Sequence, residues 1–123
     1  SQTGISFDVV SSKRCHDGKV RYKIVLNGVF VSELRYSELY SLDCNIRSEV
    51  SNFSKMRMFS FPHKTWLGRG LSKSGIFRRQ IALEAYFDQL SREAHYLIDE
   101  SHAFRTFVRV FVNVQPSLML TEI

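Results

Sequence analysis

Two arginines stand where apolar residues are expected, and both side chains suit the capture of an anion. Asn27-Gly28 separates two runs of strand-forming residues. It marks a tight hairpin, because a type I′ turn needs positive φ at both central positions. With a two-residue loop, Leu26 pairs with Val29, Ile24 with Val31, Tyr22 with Glu33 and Val20 with Arg35. Opposite residues share a face of the sheet. Arg35 then ends the row of Val29 and Val31, on the face that must be covered. Arg79 falls at helical spacing with Leu83, Tyr86 and Leu90, toward the packed side. Arg78 falls instead with Ala82, Ala85 and Gln89, on a solvated row. An inward guanidinium is costly unless paired. The residues alone leave two partners open. One is an internal acid such as Glu33, Glu38 or Glu84. The other is a bound anion, since a guanidinium fork matches phosphate and stays charged at all relevant pH.

Other residue types assemble no chemistry. His16, His63, His95 and His102 are scattered and lack metal-ligand spacing. Cys15 and Cys44 form no CxxC pair, fit a reducing compartment, and leave Cys44 a structural role beside Ile46. No nucleophile elbow, phosphate loop, HExxH or dinucleotide fingerprint is present, and no carboxylate pair has acid–base spacing. The chain reads as a binding module, not an enzyme, with no cofactor and no metal.

The elements that must position the arginines follow from periodicity. Val20, Tyr22, Ile24 and Leu26 alternate with Lys19, Arg21, Lys23 and Val25, the pattern of a half-buried strand. The first strand is expected over Ile5 to Val10, and the return strand over Val29 to Arg35. A helix is expected over 37–50, with Leu39, Leu42, Ile46 and Val50 on one stripe and Ser37 as its cap. Residues 51–75 read as irregular, and 76–91 as the clearest helix, capped by Ser74. Ser101 caps a last helix carrying Phe104, Phe107 and Phe111 toward the core, although 110–114 also reads as strand. The fold class is therefore α+β: a three-stranded antiparallel sheet followed by three or four helices. One domain is expected over 1–123, with its core over about 5–112 and a tail or linker start over 113–123.

The sequence has 123 residues, 44% hydrophobic and 24% charged, with a net charge of +5. A chain of this size buries a core without crosslinks. The basic balance favours an anionic partner: a phospholipid surface, nucleic acid or an acidic protein. No apolar run reaches the roughly 20 residues of a membrane span, and no signal peptide is visible. A cytoplasmic location is expected.

Three stretches then carry a family resemblance. Leu34-Arg35-Tyr36-Ser37-Glu38-Leu39 resembles the Arg-Tyr-Ser-x-Phe motif of PX domains, as found in sorting nexins. Phe61-Pro62-His63-Lys64 resembles their Phe-Pro-x-Lys element, and Arg78-Arg79-Gln80-Ile81-Ala82-Leu83-Glu84-Ala85-Tyr86 resembles their Arg-Arg-x-x-Leu-Glu-x-Tyr helix. The resemblance implies a phosphoinositide site. Arg35 would hold the 3-phosphate, Tyr36 would pack against the inositol, Lys64 would meet the 1-phosphate, and Arg79 would bond the 4- and 5-hydroxyls. It also implies a membrane-contacting loop, with Trp66, Leu67, Arg69, Leu71 and Lys73 facing the bilayer. The chain departs from the family pattern in lacking a Pro-x-x-Pro loop, because Pro62 and Pro116 are its only prolines. Leu39 stands where Phe is usual, and Leu34 where a second basic residue often stands.

The resulting expectation is a peripheral membrane module for a 3-phosphoinositide, above all phosphatidylinositol 3-phosphate on endosomes. The alternative is a PX-like domain for protein–protein contacts with little lipid affinity. A nucleic-acid binder is the third class, disfavoured because only Tyr22 and Tyr36 offer stacking faces among basic residues and no RNA-binding motif is present.

Overall fold

Alternation along Val20–Leu26 builds the central strand of the molecule. The computed structural model describes residues 4–50, 60–62 and 72–114. Strands β1 (Phe7–Arg14), β2 (Val20–Leu26) and β3 (Phe30–Arg35) form one antiparallel sheet in the order β1-β2-β3. Four helices follow among the described residues: α1 (Tyr36–Glu49), α2 (Lys73–Arg92), α3 (Ala94–Glu100) and α4 (His102–Val114). The α+β class is as expected, and 110–114 is helix, not strand.

The core lies between one face of the sheet and the helices. Phe7, Val9, Tyr22, Ile24, Leu26 and Phe30 are buried from the sheet side. Leu39, Leu42 and Ile46 of α1, and Leu83, Phe87 and Leu90 of α2, meet them. Phe104 and Phe111 of α4 are fully buried, with Phe107 partly so, as the aromatic stripe predicts. The Phe7 ring sits 5.4 Å from Phe87 and 5.5 Å from Phe111, in the tilted and edge-on geometries that aromatic quadrupoles favour.

The hairpin departs from expectation by one residue. Asn27 (φ 54°) and Gly28 (φ 71°) take the predicted left-handed turn, and the Leu26 carbonyl accepts the Val29 N–H at 3.1 Å. The ladder then resumes with Leu26 opposite Phe30, so Val29 is an extra residue, as in a bulge. A one-residue slip exchanges the two faces of a strand. Ser32 and Leu34 thus pair with Ile24 and Tyr22 over the core, whereas Val31, Glu33 and Arg35 pair with Val25, Lys23 and Arg21 on the other face. The expected pairs of Ile24 with Val31, Tyr22 with Glu33 and Val20 with Arg35 do not form. Burial decides the register, because Phe30 and Leu34 would otherwise point away from the helices.

β1 is longer than the apolar run Ile5 to Val10 suggests. A second irregularity at Val10 resets its parity, and Ser11 to Arg14 continue the pairing with β2. Ser12 takes the inward place opposite Tyr22, so no apolar residue advertises the extension.

Helix starts also shift. The N-cap of α1 is Arg35, not Ser37: its extended backbone (φ −84°, ψ 158°) ends the strand, and Glu38 Oε1 accepts its N–H at 2.8 Å. Ser37 already lies inside the first turn. The N-cap of α2 is Ser72, whose hydroxyl accepts from Gly75 N–H at 3.1 Å, with Ser74 two residues too late. Ser101 caps α4 as expected, accepting from Phe104 N–H at 3.0 Å. Cys44 is exposed on the outward side of α1, so it has no packing role there; Cys15 is half-buried, and both thiols are free.

Candidate functional site

The strand-to-helix junction at Arg35-Tyr36 leaves no loop between β3 and α1, so the two side chains project from a fixed backbone. Tyr36 is the first residue of α1, and four contacts hold its side chain. Its hydroxyl donates to the Pro62 carbonyl at 2.7 Å. The Phe61 ring lies 5.5 Å away and Tyr40 stacks at 6.1 Å. Arg79, from the second turn of α2, places its guanidinium carbon 4.0 Å from the Tyr36 ring centroid. A contact of this kind contributes roughly 0.5–2 kcal/mol, more as water is excluded.

Arg79 is half-buried, as its place on the Leu83 row predicts, and it faces two phenols. Burial raises the Tyr22 pKa, and the positive charge of Arg79 pulls it back. The same opposition acts on Tyr36, where burial leads and Arg79 offsets it.

Arg35 lies on the other face of the sheet. Lys13 pairs with Arg21 and Arg21 with Arg35, so three cations stand abreast across the three strands. Directly opposed like charges are destabilising. One of them is neutralised at home: Arg21 grips Asp17 with two hydrogen bonds, of 3.2 and 3.0 Å. Those bonds, led by the Arg21 side chain, hold the Asp17 carboxyl down at about 2. Among the described residues Arg35 is in no ion pair. The acids that the sequence offers it are otherwise engaged where the structure shows their bonds. Glu38 accepts the Arg35 backbone N–H, and Glu84 accepts from Gln80 at 3.2 Å.

The floor of the site is a buried polar cluster that the sequence did not reveal. Asp43 is buried, accepts the Tyr86 hydroxyl at 2.7 Å, and takes Arg47 Nε at 3.0 and 2.9 Å. Burial first, and then the Asp43 charge, push the Tyr86 phenol well above its ordinary range. Phe61 stands edge-on to Tyr86 at 4.9 Å, which links this cluster to Tyr36. Asp43 and Arg47 are four apart on one helix, a spacing visible in sequence. The partner Tyr86 is 43 residues away and has no local signal.

The structure therefore sets Arg79 over the face of the Tyr36 ring, and Arg35 precedes Tyr36 in the chain. Lys73 opens α2 and is exposed. Lys64, Trp66, Leu67, Arg69 and Leu71 lie outside the described residues. Pro62, anchored by Tyr36, stands two residues before Lys64. The row Lys13–Arg21–Arg35 and the supports Phe61 and Tyr40 were missed by sequence reasoning. Counting Val29 as an extra residue would have found its Arg21–Arg35 half, whereas the Lys13–Arg21 half rests on the irregularity at Val10.

No curated protein matches the chain. A model of the PX domain matches residues 27–110, from the hairpin turn into α4, and spans the whole junction just described. That match covers well over half the sequence, with the sheet-then-helices order and the basic junction inside it, and so the chain belongs to the PX domain family.

Proposed function

We propose that this domain binds membranes through a 3-phosphoinositide, with phosphatidylinositol 3-phosphate on endosomes as its target. Family membership makes it a phosphoinositide-binding module in general terms. The observation that carries the finer reading is Arg35, which is in no ion pair among the described residues and directly precedes in the chain a tyrosine whose ring a second arginine already engages.

In this reading Arg35 clamps the 3-phosphate with its fork. The Tyr36 ring covers the apolar side of the inositol. Arg79 releases part of its hold on Tyr36 to reach the 4- and 5-hydroxyls, and phosphates added there would crowd it. Lys64 supplies a point charge for the 1-phosphate. Trp66, Leu67 and Leu71 seat in the headgroup boundary, with Arg69 and Lys73 adding roughly 1 kcal/mol each on an anionic leaflet. One headgroup and a shallow insertion make a weak, reversible anchor, which a multidomain parent would reinforce by avidity. No described helix is long and apolar enough to cross a membrane.

The test is flotation with vesicles that differ only in phosphoinositide, at physiological salt. Recovery with phosphatidylinositol 3-phosphate well above that with 4-phosphate, 5-phosphate or 4,5-bisphosphate lipids is expected. Equal recovery across the panel would remove the 3-phosphate assignment, and no recovery with any would favour a protein-binding PX domain.

A further inference from the structure

The sheet order leaves the outer side of β1 without a neighbouring strand among the described residues. Helix α2 runs along that side and touches it closely at one end. There Phe7 N–H donates to Ser91 Oγ at 2.9 Å, and the Phe7 and Phe87 rings meet at 5.4 Å. Toward the other end strand and helix part. A hydrogen bond from Ser12 Oγ to Gln80 Oε1 at 2.6 Å spans the gap, and a groove of about 640 Å³ opens around it.

One wall of the groove is the strand from Val10 to Arg14, and the other is one row of α2 that includes Ile76 and Phe77. Val10 is 51% exposed and Phe77 58%, although both are large and apolar. Lys13, Arg14 and Lys73 supply its charge, and no carboxylate lines it among the described residues. Exposed apolar residues grouped this way mark an interaction surface.

The shape selects the kind of partner. A bare strand edge offers unpaired backbone donors and acceptors. A helix row facing it supplies the second wall, an arrangement that takes in an extended peptide as an added strand. A bilayer surface is broad, and meets rims better than the floor of a groove. The cationic lining selects acidic side chains. We propose that this groove binds an extended segment of a partner protein, apolar at positions that meet Val10 and Phe77 and acidic at those that meet Lys13, Arg14 and Lys73. The segment would lie against β1 as a fourth strand. This goes beyond lipid recognition: it uses none of Arg35, Tyr36 or Arg79, and shares only Lys73 with the residues proposed to meet the membrane.

The wall from Val10 to Arg14 spans roughly 16 Å at about 3.3 Å per residue, so displayed random peptides of about ten residues are a sufficient probe. Selection on the 123-residue chain is expected to enrich sequences that mix acidic and apolar residues. A synthesised winner should shift the amide resonances of Val10 to Arg14, Ile76 and Phe77. Phe77→Glu and Val10→Glu, both at exposed positions that folding does not need, should weaken that peptide at least about tenfold. Phe77→Leu should retain it, and vesicle flotation should be unchanged in all three. Failure to enrich any peptide, winners with net positive charge, or shifts centred on Arg35 and Tyr36 would each overturn the proposal. So would a Phe77→Glu variant that loses vesicle flotation and keeps the peptide, because this wall would then belong to the membrane face.

Discussion

Arg35 separates into a backbone bond and a proposed side-chain role. The backbone N–H caps α1 through Glu38, a bond that any residue but proline preserves. The guanidinium meets no described acid. Arg35→Ala is therefore expected to melt near the parent temperature and to lose about 2–5 kcal/mol of binding to 3-phosphoinositide vesicles. Arg35→Lys should fall between, since it keeps charge and loses the fork. Thermal unfolding beside flotation checks both, and unchanged flotation by folded Arg35→Ala would end the clamp assignment. Tyr36 divides similarly. Tyr36→Phe keeps the ring under Arg79 and loses only the hydroxyl bond to Pro62. It should bind soluble headgroup within a few-fold of the parent, whereas Tyr36→Leu should lose roughly a further 0.5–2 kcal/mol with the cation–π contact. Titration calorimetry with the soluble headgroup separates the two. At this scale the sequence was informative about Arg79, because a helical stripe from Leu83 to Leu90 leaves little freedom in where position 79 points. It was wrong about the face of Arg35, since face depends on counting every loop residue.

Elements are tied to one another by few but well-placed bonds. Glu49, at the end of α1, takes the Ala103 N–H at 2.9 Å and the Ser101 hydroxyl at 2.7 Å, and so holds the start of α4. The Ala103 bond, then the Ser101 bond, lower its pKa below the ordinary 4.5. A depressed folded value means stabilisation that is complete above the unfolded pKa and lost as pH falls through the folded one. Glu49→Gln should therefore be less stable than the parent at neutral pH, with the gap closing as pH drops below about 4.5. Chemical denaturation across pH measures it, and a gap that widens in acid would contradict the clasp. The sheet and its sequel of helices were legible because periods of 2 and 3.6 are written in Tyr22-Ile24-Leu26 and in Leu83-Tyr86-Leu90. Element starts were less so. Ser37 and Ser72 differ as caps only through where the preceding chain stops being extended, and that is a tertiary fact.

For the molecule as a whole, a net charge of +5 attracts any anionic surface, and the attraction is screened by salt. Binding to vesicles with phosphatidylserine alone should fade between low and physiological ionic strength. Binding to vesicles with phosphatidylinositol 3-phosphate should persist, because a desolvated clamp is screened less. Flotation at stepped salt distinguishes the two, and parallel decline would reduce the domain to a general cationic patch. Global properties of this kind were fully readable from composition. The buried Asp43–Tyr86 contact was not, because it joins segments with no shared local pattern.

Val29 has a practical corollary. Leu26 and Phe30 already face one another across the turn, with Val29 as slack between them. Excising that valine should leave an ordinary Asn27-Gly28 hairpin, with every downstream pair intact and Arg35 still pointing outward. Deletions inside a sheet are usually among the harshest changes a small protein meets. Here the shortened chain is expected to fold and to float with its lipid, losing only the modest burial of one half-covered side chain.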